Sequence, residues 1–238
     1  MKKLGLVGGM GPGSTAVYYH DIVYGVQERV GKESFPGLTI ESVDVFQILR
    51  LCGERDYDGL TDYLLQAIDV LARSGAQFAA LTANTPHIVF DRLQGSSPIP
   101  LISMIGSVRK EAMRSGLKKI GLLGTIFTMT QDFFKRPFLD TGIDIVVPSG
   151  EEMDYIHQKI SSELEHDIVK EETLARFQTI VSRMRAEDGI EAVVLGCTEL
   201  PLLLNSETCP VPCLDAMQIH IQDLIDEILA PADPGRPL

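Results

Sequence analysis

The sequence contains few cysteines and no long apolar run, and each scarcity excludes a class of protein. It has four cysteines in 238 residues, and no two are spaced as a CxxC pair. We therefore expect neither a disulfide framework nor a metal site, and a reducing cytoplasm fits best. The apolar run at residues 4–7 is too short for a signal peptide and leads into glycines. No stretch approaches the ~18 apolar residues of a transmembrane helix, so no membrane partner is expected.

Positive charge is also scarce. The chain has 21 lysines and arginines against 33 acidic residues, which gives a formal net charge of −12. Such a surface repels phosphate backbones and anionic membranes, so nucleic acid is not an expected partner. A small anionic substrate is still compatible, because a local pocket can be rich in N–H donors. Hydrophobic residues make up 45% and charged residues 23%, as is ordinary for a soluble globular protein.

Short apolar runs alternate with longer amphipathic segments along the chain. Strands are predicted at residues 4–8, 38–43, 77–82, 100–104, 119–123, 143–147, 191–196 and near 211. Helices are predicted at residues 14–30, 57–74, 86–94, 105–115, 130–139, 151–166, 171–187, 199–204 and 216–229. Several strand runs are continuously apolar, as in parallel strands buried on both faces. The alternation predicts an α/β fold with mainly parallel sheets flanked by helices.

An internal repeat divides the chain into two similar halves. KKLGLVG at residues 2–8 returns as KKIGLLG 116 residues later, and Ala83 aligns with Cys197 at an offset of 114. We therefore predict two pseudo-symmetric α/β domains. The first comprises 1–100 plus 214–230, the second comprises 101–213, and 231–238 is a disordered tail. Ligands of open α/β sheets bind beyond the carboxyl ends of strands, so the active site is expected in the cleft between the domains.

The loop GGMGPGST at residues 8–15 joins the first predicted strand to the first helix. Its glycines let the backbone approach a ligand, and the helix N-terminus favours an anion such as a carboxylate. A dinucleotide fingerprint is a rival interpretation, but the third glycine falls one position early. In addition, Asp44 lies 33 residues past Gly11, whereas the fingerprint places its acid about 20 residues on. A tight turn without a ligand is the third interpretation.

Two further loops follow predicted strands and carry polar side chains. Asn84 and Thr85 offer donors and acceptors suited to an α-carboxylate, and the alternative is that they only cap the next helix. Thr125 and Thr128 lie in the second half, in the loop that mirrors the glycine loop. They can bind a second anionic group, or they can form a local turn and cap.

Cys197 lies at the end of a predicted strand and just before a predicted helix, within the motif GCTE. The free N–H groups and the dipole of a helix start lower the pKa of a thiol, so we expect an available thiolate. A single cysteine in an apolar context is more often a packed core residue, but the alignment with Ala83 in the repeat favours a catalytic role. Glu199 either tunes this thiol or caps a helix. Cys52, Cys209 and Cys213 are interpreted as structural.

With these motifs the sequence resembles the aspartate/glutamate racemase family. The resemblance extends over nearly the whole chain, through GLVGGMGPGST, ANTPH, IGLLGT and VVLGCTEL. It implies two pseudo-symmetric α/β domains, a homodimer, and racemisation of an amino-acid substrate without pyridoxal phosphate, another cofactor or a metal. Two thiols on opposite faces of Cα would transfer the protons, one removing a proton and the other returning one.

The resemblance also assigns roles to individual residues. Cys197 matches one of the two catalytic cysteines. The substrate-binding residues that it implies are Met10, Asn84, Thr85, Thr125, Thr128, His166, Thr198 and Glu199. His166 stands where family members acting on aspartate carry a lysine, so a partly charged imidazole would replace a full cation.

Ala83 is the main departure from the family, because it occupies the position of the other catalytic cysteine. Alanine can neither give nor take a proton. Thr82 is adjacent, but neighbours on a strand point to opposite faces, so it could serve only if the strand is broken there. Three functions follow from this departure: an aspartate or glutamate racemase with Cys197 as the surviving thiol, a one-base lyase or isomerase, and a non-catalytic amino-acid binder.

Overall fold

The computed structural model describes residues 1–231, which form two compact units. The first unit contains Met1–Met104 and the segment that begins at His220, and the second contains Ile105–Ile219. Of the tail predicted at 231–238, all but the first residue lies outside the described part of the chain. Within that part, no helix has the length and apolar character needed to cross a membrane.

Strands and helices alternate along both units. The strands are β1 (Leu4–Gly8), β2 (Leu38–Ser42), β3 (Phe78–Leu81), β4 (Leu101–Ile102), β5 (Lys119–Leu123), β6 (Asp144–Val146), β7 (Ala192–Leu195) and β8 (Cys213–Asp215). The α-helices are α1 (Pro12–Val30), α2 (Val45–Glu54), α3 (Tyr57–Arg73), α4 (Phe90–Ser96), α5 (Met104–Arg114), α6 (Ile126–Thr130), α7 (Gly150–Ser162), α8 (Glu171–Arg183) and α9 (Ala216–Leu229). Short 3₁₀ turns occupy Thr85–Val89, Arg136–Phe138, Leu164–His166 and Leu200–Leu202, and a π-helical turn occupies Met184–Asp188.

Each unit is built on one four-stranded parallel sheet. The strand order is β2-β1-β3-β4 in the first sheet and β6-β5-β7-β8 in the second. In the central pairs, Leu4 lies opposite Phe78 and Ile120 lies opposite Ala192. The central strands β1, β3 and β7 are buried along their whole length, as their continuous apolar runs predicted. The prediction of two α/β units with parallel sheets and flanking helices is confirmed, and both sheets follow the order that the internal repeat implies.

The boundaries of the two units lie a few residues after the predicted ones. Strand β4 pairs with β3, which keeps residues 101–104 in the first unit rather than in the second. Strand β8 pairs with β7, which keeps residues 214–215 in the second unit rather than in the first. That unit continues to Ile219, within the first turn of α9.

A buried hydrogen-bond chain fastens α9 to the rest of the first unit. The Tyr18 hydroxyl lies 2.7 Å from Nδ1 of His220, and Nε2 of His220 lies 3.2 Å from the Ile102 carbonyl. A carbonyl can only accept, so Nε2 carries the proton and Nδ1 accepts from the hydroxyl. Both Tyr18 and His220 are fully buried. This series of hydrogen bonds links α1, α9 and β4.

Glu152 links α7 to α8 in the second unit. Its Oε2 accepts the Ser149 N–H at 2.9 Å, which forms half of a capping box at the start of α7. Arg183 donates to both of its oxygens, from Nε at 2.9 Å and from Nη2 at 2.8 Å. A bidentate pair of this kind fixes orientation as well as distance. The start of α7 is therefore held against the end of α8.

Two predicted helices are not α-helices in the structure, and one α-helix of the structure was not predicted. The helix predicted at 130–139 is wrong: α6 ends at Thr130, and Pro137 cannot donate the backbone bond that a continued helix requires. The helix predicted at 199–204 is a single 3₁₀ turn. Helix α2 was not predicted, although the Asp44 side chain caps it by accepting the Phe46 N–H at 2.8 Å.

Candidate active site

The glycine loop of the first unit is a tight turn held by Thr15. Gly9 has a φ of +83° and Gly11 a φ of +123°, which are conformations that favour glycine. A side chain at Gly9 would meet the Val43 carbonyl at 2.3 Å. The Thr15 hydroxyl accepts the Gly9 N–H at 3.0 Å and donates to the Gly11 carbonyl at 3.0 Å. Met10, between the two glycines, is buried.

Thr82 is fully buried and belongs to the scaffold at the end of β3. Its hydroxyl donates to the Val7 carbonyl at 3.1 Å and lies 3.4 Å from the Thr15 hydroxyl. Strand β3 ends at Leu81, so Thr82 does follow the strand. These contacts join the ends of β1 and β3 to the glycine loop. They do not favour Thr82 as the donor that replaces the missing thiol.

His87 fixes the backbone at Ala83. Its Nε2 accepts the Met104 N–H at 3.1 Å, so its Nδ1 carries the hydrogen and donates to the Ala83 carbonyl at 2.9 Å. Burial lowers the pKa of His87 to about 4, so the ring is neutral at physiological pH. The imidazole stacks on Phe90 with ring centroids 5.0 Å apart.

Asn84 and Thr85 follow Ala83 at the start of a 3₁₀ turn. Asn84 occupies the N-cap position and is 7% exposed, but its side chain does not accept a capping hydrogen bond. Thr85 is partly buried. The interpretation of Asn84 as a mere helix cap therefore finds no support in the geometry.

In the second unit, the Cys197 thiol is hydrogen-bonded to a carboxylate. The thiol donates to Oε2 of Glu199 at 2.9 Å, and the Thr198 hydroxyl donates to the other oxygen at 2.9 Å. All three side chains are partly buried. They follow β7 directly, and the preceding Gly196 N–H donates to the Leu123 carbonyl of β5 at 2.7 Å.

The expectation of a lowered thiol pKa at Cys197 is wrong. Burial, and then the negative charge of Glu199, raise the pKa of the Cys197 thiol well above its ordinary value. The helix expected to lower this pKa is only the 3₁₀ turn Leu200–Leu202, which is too short to supply a substantial dipole. Cys197 is therefore a neutral thiol at rest, and Glu199 tunes it rather than capping a helix.

Glu165 lies within electrostatic range of this pair, and two histidines lie within electrostatic range of Glu165. Desolvation, and then the charge of Glu199, raise the pKa of Glu165, although the residue is exposed. His166 and His157 lower the pKa of the same carboxyl group. Glu165 in turn contributes to the raised pKa of Cys197. His157 was missed from the sequence, since it lies in the middle of α7 in no recognisable motif; its Nδ1 is buried and has no hydrogen-bond partner among residues 1–231.

Buried Glu163 holds the turn that carries exposed His166. Its carboxylate accepts hydrogen bonds from Lys159 at 2.5 Å, Thr173 at 2.6 Å and Lys170 at 3.0 Å. The hydrogen bond from Lys159, followed by that from Thr173, lowers the pKa of Glu163 to about 2. The position of His166 is thus set by an ion-paired residue three positions earlier.

Thr125 and Thr128 begin α6 after β5. Thr125 caps this helix by accepting the Thr128 N–H at 3.4 Å, and the two hydroxyls lie 3.2 Å apart. The capping interpretation is therefore confirmed, and it does not exclude a ligand contact, because both hydroxyls have further bonding capacity.

The predicted site residues thus form two groups, one in each unit. Apart from His166, which lies in the turn after α7, each group follows the carboxyl ends of the two central strands of its own sheet, which is where open α/β sheets bind ligands. The first group is Met10, Thr82, Ala83, Asn84 and Thr85. The second group is Thr125, Thr128, His166, Cys197, Thr198 and Glu199.

Comparison with known proteins relates this chain to amino-acid racemases. The family model described as Asp/Glu/Hydantoin racemase matches residues 7–224. The broad specificity amino-acid racemase RacX of Bacillus subtilis is 22% identical over 231 residues, which is 95% of this chain and 98% of that protein.

Two solved structures are similar over nearly their whole length. A putative Asp/Glu racemase from Yersinia pestis is 30% identical with a TM-score of 0.91, covering 97% of this chain and 100% of the other. An aspartate racemase homologue from Pyrococcus horikoshii is 35% identical with a TM-score of 0.86, covering 96% and 99%.

Proposed function

Because this chain belongs to the Asp/Glu/hydantoin racemase family, we propose that it is an amino-acid racemase that uses no cofactor and transfers the Cα proton through Cys197. Aspartate and glutamate are the first substrates to test, as the family implies. The observation that carries the proposal is the Cys197 thiol held 2.9 Å from Glu199 at the end of β7. A thiol and a carboxylate in contact can exchange a proton, which acid–base chemistry at Cα requires.

In the proposed mechanism, Cys197 and Glu199 act together as an acid–base pair. Because the resting thiol is neutral, its proton first moves to Oε2 of Glu199, and the thiolate then removes the α-proton. The raised pKa makes this thiolate a stronger base, which suits a weakly acidic carbon. In the reverse direction the thiol itself donates the proton to Cα.

The family resemblance assigns the second catalytic cysteine to the position of Ala83, so the proposed mechanism lacks a second thiol. We propose that a water molecule takes that role, so racemisation is slower than with two thiols and unequal in its two directions. Buried Thr82 is already bonded to Val7 and does not supply the proton.

Substrate binding is proposed for the polar residues after the central strands. Asn84, Thr85 and the glycine loop with Met10 would bind the α-carboxylate. Thr125 and Thr128 would bind a second polar group, and His166 is the proposed contact of the substrate side chain. The carboxylates of Glu165 and Glu199 place negative charge near Cys197, so neutral and basic amino acids belong in the substrate panel as well.

The family resemblance also supports a homodimer in the cytoplasm. Both are proposals, and neither a membrane nor a nucleic acid is proposed as a partner.

The decisive experiment is Cα proton exchange in deuterated water, followed by NMR. L- and D-aspartate, L- and D-glutamate and a panel of neutral and basic amino acids are incubated with the protein and with Cys197→Ala. We expect exchange with inversion of configuration that is lost in Cys197→Ala. Exchange with retention would show that one base works alone, and exchange that persists in Cys197→Ala would refute the role of this thiol.

Ala83 favours a second candidate function, that of an amino-acid binder without turnover. This candidate predicts that an amino acid raises the melting temperature while no Cα exchange occurs with any member of the panel.

A further inference from the structure

Two cysteines outside the proposed active site converge on one backbone atom in the second unit. Cys209 and Cys213 flank Pro210, Val211 and Pro212. The Cys209 N–H donates to the carbonyl oxygen of Asn205 at 3.0 Å, and Sγ of Cys213 lies 3.9 Å from the same oxygen. Both thiols are free and partly buried against the hydrophobic core of this unit.

The local backbone holds the two cysteines in this arrangement. The Asn205 side chain accepts the N–H groups of Glu207 and Thr208 at 2.9 and 3.2 Å, which fixes the turn before Cys209. Cys213 is the first residue of β8, where it lies opposite Val193. The fold of the segment therefore holds the Cys209 backbone and the Cys213 sulfur at the same carbonyl oxygen.

The two thiols also change each other's ionisation. A hydrogen bond from Cys213 lowers the pKa of Cys209 to about 7, and the same contact raises the pKa of Cys213. Paired thiols behave this way when one stabilises the thiolate of the other. The thiolate is the nucleophilic form, so a lowered pKa at Cys209 favours attack by that sulfur.

We propose that Cys209 and Cys213 form a reactive dithiol, a modification site that low-molecular-mass disulfides oxidise to an intrachain disulfide. The proposal is independent of the racemase function. It replaces the interpretation of these two cysteines as merely structural. Within residues 1–231 no cluster of three or more metal-ligating side chains is present, so the pair lacks the further protein ligands of a structural metal site.

The reaction balances as two thiol–disulfide exchanges. The Cys209 thiolate attacks glutathione disulfide, forms a mixed disulfide and releases one glutathione thiolate. Cys213 then loses its proton to solvent, and its sulfur attacks the Cys209 sulfur and releases a second glutathione. One disulfide of the reagent is reduced and one protein disulfide is formed.

The other two cysteines are poorer nucleophiles. Burial raises the pKa of Cys52 to about 11. Burial and the charge of Glu199 also raise the pKa of Cys197. At neutral pH both are therefore protonated, and glutathione disulfide should select the Cys209–Cys213 pair.

The test is oxidation of the full chain with glutathione disulfide at pH 7.5. At each time point free thiols are alkylated under denaturing conditions, and non-reducing peptide mapping by mass spectrometry identifies the products. We expect a Cys209–Cys213 disulfide, with Cys52 and Cys197 recovered in alkylated form. Recovery of all four cysteines as alkylated thiols, or oxidation first at Cys52 or Cys197, overturns the proposal.

Two variants distinguish the attacking thiol from the resolving thiol. Cys213→Ser should stop at a mixed disulfide of Cys209 with glutathione, while Cys209→Ser should react at least about tenfold more slowly, because the low-pKa thiol is gone. Cys52→Ser is the matched control and should oxidise like the parent. If either serine variant fails to fold, the pH dependence of the parent still decides, since the rate should reach half its maximum near pH 7, and a rate that only begins to rise above pH 9 contradicts the proposal.

Discussion

At the scale of single residues, burial and then the Glu199 carboxylate favour the protonated form of the Cys197 thiol. Its negative charge and its hydrogen bond both raise the pKa of that thiol. Glu199→Gln removes the charge, so the pKa should fall and the pH at which Cys197 becomes alkylated by iodoacetamide should move to a lower value. Cα exchange should fall by a factor on the order of 10², because an amide cannot accept the thiol proton.

Glu165→Gln is the matched control for that change. Glu165 contributes less to the raised pKa of Cys197 than Glu199 does, so its alkylation profile should move in the same direction by a smaller amount. A profile that is unchanged in Glu199→Gln would show that burial alone sets the pKa of Cys197.

Ala83 provides the second residue-scale prediction. Ala83→Cys restores a thiol at the position aligned with Cys197, and racemisation should rise by a factor on the order of 10² as a second acid–base group becomes available. The rate of inversion is measured by polarimetry or chiral chromatography. Ala83→Ser is the control, since its hydroxyl is a far weaker acid than a thiol. Equal rates in the alanine, serine and cysteine forms would refute the proposed role of this position.

At the scale of secondary structure elements, α9 depends on the buried contact between Tyr18 and His220. Tyr18→Phe removes the hydroxyl that bonds to Nδ1 of a fully buried ring, which should cost about 1–3 kcal/mol of unfolding free energy. Urea denaturation followed by circular dichroism measures the loss. Tyr19→Phe, on the exposed side of the same helix, should leave the midpoint unchanged. Similar midpoints for the two variants would mean that the buried bond contributes nothing.

The elements that could be predicted from the sequence are those with a strong local signal. Strands such as β1 and β5 were predicted because their apolar runs are continuous and end in glycine. Helix α2 was missed because its cap, Asp44, follows β2 so closely that the loop between them is only two residues long. The prediction of a helix at 130–139 overlooked Pro137, whose ring is not accommodated in the interior of an α-helix.

The strand-end placement of the candidate residues could be predicted from the sequence, but their ionisation could not. Asn84 and Cys197 follow β3 and β7, as the apolar runs before them predicted. The ionisation of Cys197 could not be predicted, because it depends on burial and on a side-chain contact with Glu199. The reactive pair Cys209 and Cys213 could not be recognised either, since only the folded turn brings its members onto one carbonyl oxygen.

At the scale of the whole molecule, His87 makes stability depend on pH. Its folded pKa of about 4 lies below the ordinary 6.5, so between these values the unfolded chain binds a proton that the folded chain does not. Stability is therefore unaffected by this group above pH 6.5 and falls as the pH drops from 6.5 to 4, by about 3 kcal/mol in all. His87→Gln should flatten the measured slope of unfolding free energy against pH in this window.

Glu163 makes stability depend on pH in a lower pH range. Its folded pKa of about 2 lies below the ordinary 4.5, so its contribution is complete above pH 4.5 and is lost as the pH falls towards 2. Glu163→Gln should change the slope only in that lower range. If His87→Gln leaves the slope between pH 6.5 and 4 unchanged, the ring does not titrate as its burial requires.

The division of the chain between the two units has a consequence for how the protein is made. The second unit is continuous, from Ile105 to Ile219, whereas the first unit needs residues from both sides of it, including His220. During synthesis on the ribosome, every residue of the second unit therefore emerges before the first unit can be completed. The half that comes first in the sequence is the half that finishes folding last, and until α9 arrives, the surfaces that α1 and β4 present to it are exposed to chaperones and proteases.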